Sequence, residues 1–175
     1  MPCRAEPWFF VTEDMVRFGR MLSPEKLTDM RVAKAIYLLV SGRFEIKLSS
    51  LKPWAFYKIQ PSCEIWNVSI QPPMKVCFVL ISMLYLTGRF EDVALYSTVM
   101  KYGFFKRQHY YVRVKIGEKR YDLDPLAYQM NMGFGTHLGE TGFHSEIPLI
   151  LCECENEIQV GEKIFHLCRD AYRGL

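Results

Sequence analysis

A chain of 175 residues, half of them hydrophobic and 14% aromatic, is long enough to close one core and too apolar to be disordered as a whole. Its formal charge of +3 excludes the strongly basic character of a nucleic-acid binder. The short basic pairs Lys106-Arg107 and Lys119-Arg120 read as a solvated loop and a turn.

The segment from Met1 to Arg20 carries charges among its apolar residues and lacks the apolar core and cleavage site of a signal peptide. Ser23-Pro24-Glu25 is a helix-start signal, with Ser as cap and Pro at the first helical position. Leu27, Met30, Ala33, Ile36 and Val40 then recur at helical spacing, and Gly42 is placed to end the helix. The span from Leu48 to Ser69 is mixed and reads as a long, partly ordered connection.

Gln71-Pro72-Pro73 fits a helix entry. Met74 to Thr87 is apolar on nearly every side and stops at Gly88, which predicts a helix in the middle of the core. Its apolar run from Val76 to Leu86 is too short to span a bilayer. From Asp92 onward β-formers alternate up to Gly103. His109 to Ile116 is a period-two strand, Gly117-Glu118 a hairpin signal, and Lys119 to Leu123 the returning strand, stopped by Asp124-Pro125. Gly133, Gly135, Gly139 and Gly142 mark a long loop, with His137 and His144 expected at its surface. Pro148 to Glu153 reads as a buried strand and Gly161 to Tyr172 as a final helix. Neither a repeat nor a linker interrupts this order, so residues 1–175 are expected to form a single α+β domain.

Three residues in this order carry chemistry. Cys77 falls one turn inside the start of the buried helix, where backbone amides and the helix dipole favour a thiolate. The bland alternative is a small apolar residue of the core. His109 opens one strand and Asp124 closes the next. A hairpin centred between Ile116 and Gly117 sets the two side by side, where a carboxylate holds the tautomer of an imidazole and stabilises its protonated form. Asp122 is the competing acid, expected to turn away from His109; the strand pairing and the Asp-Pro ending favour Asp124. Gln71, six residues before Cys77, is a candidate oxyanion donor, and Trp66 a weaker one.

The arrangement resembles the transglutaminase-like superfamily of papain-like thiol enzymes. Its matching pieces are Met74-Lys75-Val76-Cys77, His109-Tyr110-Tyr111-Val112-Arg113-Val114 and Tyr121-Asp122-Leu123-Asp124-Pro125, within a stretch from about Leu27 to Pro125. The chain departs from the family in having Val76 rather than Gly before the cysteine, Phe78 rather than Trp after it, and Tyr111 where Trp is common. The resemblance implies a papain-like core, with a central buried helix packed on an antiparallel sheet. It also implies a cysteine peptidase or amidase with a Cys77-His109-Asp124 triad, acting through a thioester on a peptide or protein substrate. Such chemistry needs no metal or organic cofactor.

A non-catalytic binding module on the same fold is the competing expectation. A third is a zinc-dependent interaction domain held by Cys152, Cys154, His166 and Cys168; the poor facing of the last two on a helix argues against a metal. The six dispersed cysteines are expected as thiols of a cytoplasmic protein, with neither nucleic acid nor membrane as partner.

Overall fold

A computed structural model describes residues 12–22, 24–46, 62–102, 105–138 and 147–151. Helix α1 (Glu13–Leu22) begins where Thr12 Oγ1 accepts from the Met15 amide at 3.1 Å, and buries Met15. Met15, Phe18 and Leu22 recur at helical spacing and face the core, a signal that the charges of this segment mask. Helix α2 (Asp29–Arg43) buries Val32, Ala33, Ile36, Tyr37 and Val40, a stripe at helical spacing. It starts later than Pro24 suggests. Residues 24–27 form a turn closed by the Leu27 amide on the Pro24 carbonyl, and Thr28 stands in extended backbone before the helix. Gly42 lies within the helix rather than past its end.

Strand β1 (Glu45–Ile46) pairs in parallel with β2 (Ile70–Gln71), and the short helix α3 (Ser62–Trp66) precedes β2. Helix α4 (Pro73–Tyr85) follows. Its first residue is dictated locally: Pro72 precedes a proline and is held extended, and Pro73 occupies the first helical position without needing an amide partner. Every residue from Met74 to Leu84 is buried, so the helix has no solvent face. Gly88, at φ +65°, supplies the left-handed residue that follows the last turn.

Strands β3 (Val93–Tyr102), β4 (Phe105–Ile116), β5 (Lys119–Leu123) and β6 (Ile147–Leu151) form an antiparallel sheet in the order β5-β4-β3-β6. β6 is an edge strand, where Pro148 is tolerated. The layers are helix on sheet: Val76, Val79 and Leu80 of α4 share one core with Val93, Leu95, Val112, Val114 and Leu123. Each such side chain stabilises the fold by about 1.5–3 kcal/mol relative to exposure. The opposite face of the sheet carries Ala94, Tyr96 and Tyr111. The fold is α+β, with a buried central helix against an antiparallel sheet.

Two local expectations are corrected. Lys106 and Arg107 lie in β4, and Lys119 and Arg120 in β5, so neither pair is a loop or turn. Strand pairing of a long hairpin overrides the local charge signal. Gly103, the cysteines and histidine of the proposed zinc site, His144 and the predicted C-terminal helix lie outside the described residues. No described helix is long and apolar enough to cross a membrane.

Candidate active site

Asp124 is fixed by its neighbour. A residue before proline is held extended, and Pro125 opens helix α5 (Pro125–Gln129), so Asp124 becomes the cap of that helix. Its Oδ1 accepts from the amides of Leu126 at 2.9 Å and Ala127 at 3.2 Å. Its Oδ2 accepts from His109 Nε2 at 2.6 Å and from the Leu138 amide at 2.9 Å. The carboxylate is fully buried and all four of its lone-pair directions are used. The Tyr37 hydroxyl donates to the Asp124 carbonyl at 2.9 Å. Burial first, then the nearby charge of Asp124, hold that phenol well above its usual range, so it stays a neutral donor.

The expected His109–Asp124 contact is therefore present, but by a different route. The hairpin turns between Gly117 and Glu118, pairing Arg113 with Asp122 and Val112 with Leu123. Continued, that register sets Asp124 beside Tyr111, not His109. The contact forms because the strand ends at Leu123 and Asp124 turns diagonally into its cap. Gly117, at φ +59°, is the residue that permits the turn there.

Because a carboxylate only accepts, the bond to Asp124 puts the ring proton of His109 on Nε2. Nδ1 is left as the basic nitrogen. It is buried and has no hydrogen-bond partner among the described residues.

Cys77 is a free thiol, fully buried, and its Sγ donates to the Tyr110 carbonyl at 3.6 Å. That places it at the residue adjacent to His109, without a hydrogen bond to Nδ1. The alternation of β4 accounts for this. Tyr110 packs toward the core shared with α4, whereas Tyr111 lies on the other face, and the unbroken pairing with β3 puts His109 on the Tyr111 side. The expected thiolate is also corrected. Burial, and secondarily the charge of Asp124, push the Cys77 thiol well above its usual range. Cys77 is the fifth residue of α4, where the helix dipole has faded, so desolvation wins.

Gln71 is buried, but its Nε2 is directed at the carbonyls of Ile65 and Val68, each at 3.4 Å. Both amide protons face the chain leading into α4, which corrects its reading as an oxyanion donor. Trp66 is buried beneath the Arg43 guanidinium, 4.1 Å from its ring centre, while Arg43 also donates to the Trp66 carbonyl.

Asp122 does turn from His109. It receives a bidentate pair from Arg113 at 2.6 and 2.9 Å, directly across the hairpin. His137, expected at the surface, is buried, with its ring stacked 4.2 Å from Tyr111 and its Nε2 3.6 Å from Asp122. Gly135 bridges to Asp122, and this pairing folds the glycine-containing segment back onto the sheet, carrying His137 inward and the Leu138 amide to Asp124. The sequence signal is slight: a histidine two residues after Gly135 and next to the apolar Leu138.

Compared with family models, curated proteins and solved structures, the chain matches none.

Proposed function

We propose that the chain is a thiol acyl-transfer enzyme of papain-like, transglutaminase-like architecture, a cysteine peptidase or amidase in which Cys77 is the nucleophile, His109 the general base and acid, and Asp124 the group that orients the imidazole. The observation that carries this reading is the buried His109 Nε2–Asp124 Oδ2 bond, which leaves Nδ1 with no hydrogen-bond partner among the described residues, one residue from the Cys77 contact.

Cys77 rests as the thiol, since burial holds the proton on sulfur. Turnover begins when the thiol leaves the Tyr110 carbonyl and turns past the edge of β4, which has no β5 partner beyond Val112, to pass its proton to Nδ1 on the Tyr111 side. The sulfur bonds to the carbonyl carbon of an amide or ester. The imidazolium gives its proton to the departing amine or alcohol, and a thioester remains on Cys77. The Asp124 carboxylate stabilises the imidazolium throughout. The substrate class is a peptide or protein amide, and no cofactor enters these steps.

Incubation of the full chain with p-nitrophenyl acetate, followed by intact-mass analysis and peptide mapping, tests the assignment. An acetyl group on Cys77, absent in Cys77→Ser and slowed in His109→Ala, is the expected result. Acetylation only at other cysteines or at lysines would refute it. One observation favours a second reading, a non-catalytic binding module of the same fold: the complete burial of the Cys77 thiol together with its raised pKa. Such a module gives no acetyl-Cys77 at any substrate concentration.

A further inference from the structure

We infer that Thr98 and His109 together hold the water molecule that ends the acyl-enzyme. This inference rests on the acyl-transfer reading and adds a fourth residue to it. Thr98 on β3 is the direct cross-strand partner of His109 on β4. Directly opposed residues of an antiparallel pair point to the same face, with their Cβ atoms about 4.5–5.5 Å apart. Both side chains are buried, Thr98 at 0% and His109 at 1% exposure. Thr98 Oγ1 and His109 Nδ1 are two of only four buried side-chain polar atoms without a hydrogen-bond partner among the described residues. That two of the four belong to one strand pair points to a common partner.

The chemistry narrows that partner. Nδ1 is an acceptor, because the ring proton is on Nε2, so it requires a donor. A hydroxyl both donates and accepts. One water molecule donates a proton toward Nδ1 and uses its remaining donor or lone pair on Thr98 Oγ1. It satisfies both groups at once, as buried waters commonly do. Water held in that way is aligned for general-base attack.

In the step itself, Nδ1 takes one proton as the water oxygen bonds to the thioester carbonyl carbon. The C–S bond of the tetrahedral intermediate then breaks, releasing the carboxylic acid. The Cys77 sulfur leaves with the electron pair and recovers the proton from the imidazolium. Free thiol, neutral imidazole and acid product balance the thioester and water consumed. Thr98 is a positioning residue: it acts on the water, not on the acyl group.

The test separates the two halves of turnover. With p-nitrophenyl acetate, the burst of p-nitrophenol reports acylation and the steady rate reports deacylation. Thr98→Val preserves side-chain shape and removes the hydroxyl. The burst should persist, the steady rate should fall about tenfold for the loss of one hydrogen bond, and acetyl-Cys77 should accumulate in the mass spectrum. Thr98→Ser should restore the steady rate. A merely structural Thr98 would lower burst and steady rate together, or neither, and either result overturns the inference. If wild-type protein forms no acetyl-Cys77, the acyl-transfer reading itself fails and takes this inference with it. A crystal structure of the full chain gives a readout independent of turnover. An ordered water within hydrogen-bond distance of both Thr98 Oγ1 and His109 Nδ1 is expected, whereas a direct bond between those two atoms would overturn the water site.

Discussion

Replacing Asp124 by Asn keeps the size of the side chain and exchanges one acceptor oxygen for an NH₂ group. The structure determines where that group goes. On the Oδ1 side stand two backbone amides, Leu126 and Ala127, which cannot reverse their polarity. On the Oδ2 side stand one backbone amide, Leu138, and the imidazole of His109, which can change tautomer. The new NH₂ therefore faces His109 and Leu138. The Leu138 amide is orphaned, at about 1–3 kcal/mol, and the surviving bonds lose their charge assistance, at about 1 kcal/mol more, for a total near 3 kcal/mol. That is a large fraction of the roughly 5–15 kcal/mol that holds an ordinary domain together. His109 now accepts at Nε2 and carries its proton on Nδ1, so the basic nitrogen is lost. The same change in a serine triad costs about 10⁴-fold in rate. Urea denaturation followed by circular dichroism measures the stability, and ¹⁵N chemical shifts of the labelled ring report the tautomer. A loss below about 1 kcal/mol with the proton still on Nε2 would refute the four-donor account of Asp124.

The Cys77 thiol makes stability depend on alkaline pH. Below the unfolded thiol value of about 8.5 both states keep the proton and Cys77 contributes no slope; above it the unfolded state ionises and the folded state does not, so stability falls by about 1.4 kcal/mol per pH unit until the raised folded value is reached. Tyr37, raised in the same direction, adds its own slope beyond about pH 10. Urea midpoints of wild type and Cys77→Ser between about pH 8.5 and 10 check the sign: the variant's curve should be the flatter, and parallel curves would show that Cys77 does not resist ionisation. Asp122→Asn removes the charge that receives both Arg113 donors in a partly buried pair, with the guanidinium lying over Tyr96 and Tyr111. A loss of about 2 kcal/mol is expected in the same denaturation assay, and an unchanged midpoint would place that pair among those of no consequence.

Much of the architecture was legible because its signals are local. A proline after Pro72 forces an extended residue followed by a helix start, and no distant segment alters that steric rule; the same rule at Asp124-Pro125 starts α5, where the sequence was read only as the end of a strand. The surface of Met74 to Leu84, apolar except at Lys75 and Ser82, demands burial from nearly every direction, which makes α4 the centre of the fold. Alternation marked β4 and β5, and a glycine at a positive φ marked the turn between them. The His109–Asp124 contact was expected from strand register, but it forms because Asp124 turns out of the strand to cap α5.

What the sequence by itself determined was therefore the core helices α2 and α4 and the strands β3, β4 and β5, since sterics at proline and the period of apolar residues act over a few positions. Tertiary structure alone decided the rest. It set the register at Gly117-Glu118, buried His137 against Tyr111, aimed the Gln71 amide at Ile65 and Val68, and brought the Leu138 amide to Asp124. It also decided the charge of Cys77. Helix position favours a thiolate, but a thiol's ionisation is governed by how much water its whole surroundings exclude, and those surroundings come from α4, β4 and Asp124 together.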